Sequence, residues 1–353
     1  MKVKSRLETM SQPIMDNSVD VKKKVNPYND SIAYKKFLSD IQKLRKRFGP
    51  LCLHPNKSDC VHQMIDAHTI SKSNVLRLIA KNGNVLMPTV LEFGGEFTVQ
   101  KYGINKATAF PCFCHEHDKM FYPIDGGNAE ITDENTFLYA YRAFAASYYK
   151  LLREMNCCSR ISEQYNLESN PLSLVLGAFL QHNKNILDTY KQQFDQAILA
   201  NEIDILETSS MVLGYRTAIA ASTCLSLEFD LYGNRIKKDG HNLPVVFISI
   251  IPQLDRTNII FSWFKQDREI FLKLKNQFAE YPHRYIMTAL NNLIPLDCEN
   301  MVLSPVLWDA WNDEARQEFT STISEHLEQI FIKNLPQDYV TKRKYNIFQK
   351  ISW

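Results

Sequence analysis

The stretch "ATAFPCFCHEHDKMFYPID" (residues 107–125) sets Cys112, Cys114, His115 and His117 within six consecutive positions, and Asp118 follows directly. Four of the chain's eight cysteines and five of its nine histidines lie between Cys52 and His117. That window is under a fifth of the 353 residues. Uniform scatter would leave about three of the seventeen there, and nine are present. This clustering is the strongest chemical signal in the chain, and the rest of the sequence is read outward from it.

Thiolates and imidazoles brought together in this way suit zinc, which takes four such ligands in a tetrahedron, commonly two from each of two tight turns. Cys114 and His117 have two intervening residues, a spacing that lets both side chains reach one ion. On the other side, Cys52 and Cys60 are separated by seven residues, "LHPNKSD", in which Pro55 and Asn56 suit a looped turn. The expected ligands are Cys52, Cys60, Cys114 and His117. Cys112, His115, His54 and His62 are competing donors close by. A structural Zn²⁺ would explain how a turn-rich stretch with few apolar residues folds. The other reading is reduced thiols beside unrelated histidines.

Between the two pairs lies "MIDAHTISKSNVL". Ile65 and Ile70 suggest a strand, which would set Asp66 and His68 on one face. A histidine there and Asp118 at the start of a helix could hold a divalent cation or activate a water. The alternative is a hydrogen-bonded, structural His68.

A cysteine pair, then a strand histidine, then Cys-x-x-His resembles a treble-clef zinc module, and within that group the HNH-type endonuclease family. The resemblance covers residues 50–125 only. It implies a ββα metal site in which His68 is the general base and Asn105 the middle asparagine. Asp118 would stand where a metal-binding histidine usually follows the second knuckle, with Asp66 assisting. It further implies Cys52, Cys60, Cys114 and His117 on structural zinc, and a separate Mg²⁺ or Mn²⁺ at the phosphodiester of DNA or RNA. The sequence departs from the pattern at three places: Ala67 precedes the histidine, Asn105 is far from Cys114, and the terminal histidine is Asp118. The run also resembles bacterial proteins carrying such a module, some associated with anti-phage defence.

Hydrophobic content of 45% and charged content of 23% are those of a soluble globular protein. No segment has the length and apolarity of a membrane helix, and the N-terminus lacks the apolar stretch of a signal peptide. A cytoplasmic location with reduced thiols is therefore the expectation. A net charge of +2 gives no global nucleic-acid signature. Any such contact would fall to local runs, "VKKK" (residues 21–24) and "KLRKRFG" (residues 43–49), which also read as solvated faces. P-loop, GxGxxG and GxSxG patterns are absent, so nucleotide-driven and α/β-hydrolase chemistry has no support.

The texture divides the chain into a polar segment (1–30), a Cys/His module with a preceding helix (31–127), and a mainly helical domain (128–353). The last carries a β insert at about 217–265. Long helices are expected from Glu134 and from Pro171, and a third over 202–214. "KNGNVLM" reads as a left-handed turn entering a strand. A helix is expected after Ser304 as cap, at Pro305. The fold class expected is α+β: a small zinc-stabilised treble-clef (ββα-like) module plus a larger mainly α-helical domain with an inserted small antiparallel sheet. That larger domain would recognise substrate, a partner or a second copy. The rival readings are a non-catalytic zinc-stabilised binding or assembly protein, and a small-ligand sensor.

Overall fold

The computed structural model describes residues 31–61, 63–90, 97–126, 129–236, 244–331 and 339–353. The N-terminal segment 1–30 with its "VKKK" run, and His62, lie outside them. The chain divides into two compact units at Leu44 and Arg45. Helix α1 (Ser31–Arg47) runs through the division, with the basic residues Arg45, Lys46 and Arg47 in its last turn.

In the second unit the chain enters β1 (Met64–His68), makes a π-turn (Lys72–Leu76) and continues into α2 (Arg77–Ile79). Val75, Leu76 and Ile79 form the buried stripe of this short element. Asn82 and Gly83 then take φ of 52° and 70°, the left-handed turn that "NG" predisposes, and lead into β2 (Asn84–Val90). β3 (Phe97–Gly103) pairs back on β2, and β4 (Ala109–Cys114) pairs antiparallel with β1. Two short helices follow, α3 (His115–Asp118) and α4 (Tyr122–Asp125).

Two long helices come next, and both begin and end on local chemistry. Thr132 caps α5 (Asp133–Tyr165) by accepting from Asn135 N, and Asn166 ends it in the left-handed conformation. Asn170 caps α6 (Pro171–Ala200) with Pro171 in its first turn, and Asn201 closes it.

The chain then lays down β5 (Leu206–Leu213), β6 (Ile219–Ser226), β7 (Val245–Pro252) and β8 (Thr257–Phe264). After these come α7 (Arg268–Glu280), α8 (His283–Asp297), β9 (Met301–Leu303), α9 (Pro305–Ala310) and α10 (Asp313–Phe331). Ser304 caps α9 as expected, by accepting from Val306 N.

The result is mixed helix and antiparallel sheet, in two respects different from the sequence expectation. Residues 202–214 are not a helix: β5 occupies them, because Ser209, Met211 and Leu213 alternate inward along an eight-residue pairing with β8. The sheet is also larger than an insert at 217–265. It has seven strands in the order β3-β2-β9-β6-β7-β8-β5, so β2 and β3 from the Cys/His segment extend it through the β9 bridge at Leu86 and Leu303.

Every residue of β7 and β8 is buried, because helices cover both faces. Val246, Ile248 and Ile250 pack with Phe271, Leu290 and Leu293 of α7 and α8. Val245 and Phe247 face the other way, onto Tyr141, Phe144 and Phe194 of α5 and α6. That second core runs without interruption to Cys52, Leu53, Phe113, Cys114 and Phe121. The Cys/His segment therefore rests on the same aromatic layer as the sheet.

Candidate metal centre

Three segments converge on the centre. Residues 51–53 lie alongside β4, with Leu51 N donating to Pro111 O (2.9 Å) and Leu53 N to Cys112 O (3.0 Å), which fixes Cys52. The seven-residue gap to Cys60 is closed by a side-chain-braced turn. Asn56 Oδ1 accepts from Ser58 N (3.2 Å), Asn56 Nδ2 donates to Asp59 Oδ2 (2.5 Å), and Cys60 N donates to Lys57 O (3.3 Å). Cys114 ends β4 and caps α3, which carries His117.

These elements bring the four expected ligands together: Cys52, Cys60, Cys114 and His117 offer atoms that all lie within 4.8 Å of one another. His117 Nδ1 is 3.4 Å from Cys52 Sγ, 3.5 Å from Cys60 Sγ and 3.3 Å from Cys114 Sγ. An imidazole nitrogen has one site for one thiol, so three sulfurs converging on it are not explained by hydrogen bonding. A tetrahedral ion bonded to sulfur at about 2.3 Å and to nitrogen at about 2.0 Å sets a nitrogen–sulfur edge of about 3.5 Å, close to all three distances. The residues fit a metal.

The electrostatics agree. Burial and the neighbouring Cys52 thiol push Cys60 up to about 11. At Cys114 burial acts upward, but the backbone N–H groups of His117 and Val61 outweigh it and hold the thiol low. Burial holds His117 low, so its ring is neutral and free to ligate.

The spare donors separate from the cluster. The His54 ring stacks on His117, with centroids 3.8 Å apart and planes 12° apart, and its Nδ1 accepts from Asn56 N (3.2 Å). Burial and His117 hold His54 down at about 4. Cys112 is packed in the core, where burial and Asp118 drive its thiol upward. His115 is exposed.

A second polar group lies beside the centre. His68, half-buried at the end of β1, donates from Nε2 to Ile104 O (3.0 Å), which leaves Nδ1 with the lone pair. Burial lowers its pKa, and Asp118 acts the other way. Asp118 is raised by burial, against the pull of Arg142. Arg142, on α5, is 4% exposed and holds Asp125 with both terminal nitrogens (2.8 and 2.7 Å), while its guanidinium lies 4.3 Å from the Phe121 ring centre.

Asp66 is exposed at an irregularity in the β1–β4 register and is not among the charges acting on His68. Asn105 is exposed in the turn next to Ile104. Sequence reasoning missed Arg142 and Asp125. The signal was a single charge inside the aromatic run "YAYRAFAASYY". It also missed Thr108, a β-branched residue at φ 58° whose carbonyl accepts from Thr69 N (3.0 Å) just past His68. A residue of that type in the left-handed region is strained, and such strain concentrates at functional sites.

In the basic run 43–47, Lys43 pairs with Asp40 (2.9 Å) and Arg45 with Glu154 (2.6 Å), while Lys46 and Arg47 are exposed. Among the described residues, no helix is long and apolar enough to cross a membrane. No protein-family model, curated protein or solved structure matches this chain.

Proposed function

We propose that the chain is a zinc-stabilised, divalent-metal-dependent nuclease of the HNH type. The observation that carries this reading is the coupling of the two polar groups through three residues. His117 belongs to the metal cluster, Asp118 follows it on α3, and Asp118 and His68 act on each other electrostatically across the β1–β4 pair. The zinc is assigned from the donor set, three thiols and one imidazole. Its role is to hold the Cys52–Cys60 loop against β4 and α3.

In this mechanism the Ile104 carbonyl keeps the proton of His68 on Nε2, so Nδ1 accepts a proton from the attacking water. The lowered pKa of His68 keeps it neutral and competent at neutral pH. Asp118 would help hold a divalent cation, Mg²⁺ or Mn²⁺, and that ion would supply charge neutralisation at the scissile phosphate. Asn105 adjoins Ile104, whose carbonyl orients His68. Lys46 and Arg47 offer exposed charge for the phosphate backbone.

One observation favours a non-catalytic zinc-stabilised binding module instead. The Arg142 guanidinium already supplies positive charge that acts on Asp118. Incubation with plasmid DNA and with RNA, with Mg²⁺ or Mn²⁺, separates the two. The nuclease reading expects cleavage that His68→Ala and Asp118→Ala abolish while bound zinc is unchanged. Equal behaviour of wild type and His68→Ala eliminates catalysis and leaves the binding module.

A further inference from the structure

Helix α6 opens with "PLSLVLGAFL" (residues 171–180), which carries no charge. The face it turns to α5 is marked by the Ser173 hydroxyl, hydrogen-bonded to Ser162, and continues through the half-buried Gly177 and Leu180. Every other position around these three turns is exposed, and almost all are apolar. Leu172 is 52% exposed, Leu174 58%, Val175 64%, Leu176 38% and Phe179 39%. The helix has 30 residues, yet its buried ones are Tyr190, Phe194 and Ala197, all in its C-terminal half. A helix that is apolar all round belongs in an interior, and here the described residues leave it uncovered.

We infer that the α6 N-terminal half is a self-association surface, on which two copies of the chain pack their α5–α6 hairpins against each other across a two-fold axis. Three features of the patch select a second copy. First, its size matches: side chains of roughly 150–250 Å² exposed to these extents give about 450 Å² of apolar surface. A stable interface covers about 800 Å² per partner, a little over half of it apolar. Second, an isologous contact sets like residues near like, which a charge-free patch tolerates and a charged one does not. Third, two antiparallel hairpins meeting along apolar faces form a four-helix bundle, and the small exposed Ala178 permits close approach. The lack of Lys and Arg across residues 171–183 argues against an anionic membrane surface, which amphipathic helices meet through basic residues.

The test is sedimentation velocity on the full chain at micromolar concentrations, with Leu174→Glu/Val175→Glu as the patch variant and Leu199→Glu as a control. Leu199 is 65% exposed at the far end of the same helix. The inference expects a wild-type dimer, a dimer for Leu199→Glu, and association weakened at least a hundredfold in favour of monomer for the patch variant, with unchanged circular dichroism. A wild type that stays monomeric overturns it, as does a patch variant that still dimerises or a control that dissociates equally. Pelleting of a monomeric wild type with lipid vesicles, lost in the patch variant, would overturn it in favour of a membrane surface. Metal content and nuclease activity do not enter the readout, so the inference and the proposed function fail separately.

Discussion

Removing the metal should lower the melting temperature by an amount set by the loop it closes. Cys52 and Cys114 are 62 residues apart in sequence, and the ion would join them. A cross-link of that span removes about 4 kcal/mol of chain entropy from the unfolded state at 25 °C. The gross affinity of a structural zinc is larger, on the order of 10 kcal/mol in peptides that have no other core. Here Phe113, Phe121 and Tyr141 pack the segment without the ion, so the closure term is the part expected to appear in global stability. With an unfolding entropy of about 2.1 cal/mol/K per residue over 353 residues, about 4 kcal/mol corresponds to a shift of about 5 °C. Calorimetry on zinc-loaded protein and on protein stripped by a strong chelator, with thiols kept reduced, measures it. Thiol titration should show Cys52, Cys60 and Cys114 becoming reactive together. A shift under about 1 °C on complete removal would refute the structural role.

Three further outcomes follow from the geometry. Arg142→Met leaves Asp125 without its partner; because that carboxylate is 30% exposed and can recover water, the cost is about 2–3 kcal/mol, below the range for a fully buried pair, and urea unfolding with an unchanged m-value checks it. His68 has a folded pKa below 6.5, so below pH 6.5 the unfolded chain takes up the proton first. Stability from this group is complete above pH 6.5 and is lost as pH falls toward the folded value. The acid limb of any nuclease rate lies below 6.5 for the same reason, and a limb centred at or above 6.5 contradicts the assignment. Gly83→Ala meets nothing within 4 Å but must hold φ of 70°, so its cost is backbone strain alone, about 1 kcal/mol, read by the same unfolding assay.

What could be read in advance was whatever local chemistry determines. The Cys-x-x-His spacing and the looped Cys52–Cys60 pair named the four side chains that come together. Pro171 and Ser304 start the helices expected at them, and the Asn82-Gly83 pair turns as its residue types require. What escaped was non-local. The pairing of Leu86 with Leu303 joins residues more than two hundred positions apart, and nothing near either one announces it. The helix expected over 202–214 fails because the competing strand pairing is non-local. Only the partner strand β8 selects the two-residue period that buries Ser209, Met211 and Leu213. Arg142 was hidden for a related reason. Its buried place is set by Asp125 and Phe121, which reach it from α4 and the turn before it.

The most direct measurement is elemental analysis of the purified chain beside Cys114→Ser and His117→Ala. The account predicts about one zinc per wild-type chain, retained through gel filtration, and a loss of most of it in both variants. Wild-type protein refolded in excess zinc that retains less than about a tenth of an equivalent, or variants that hold zinc as the wild type does, would contradict it.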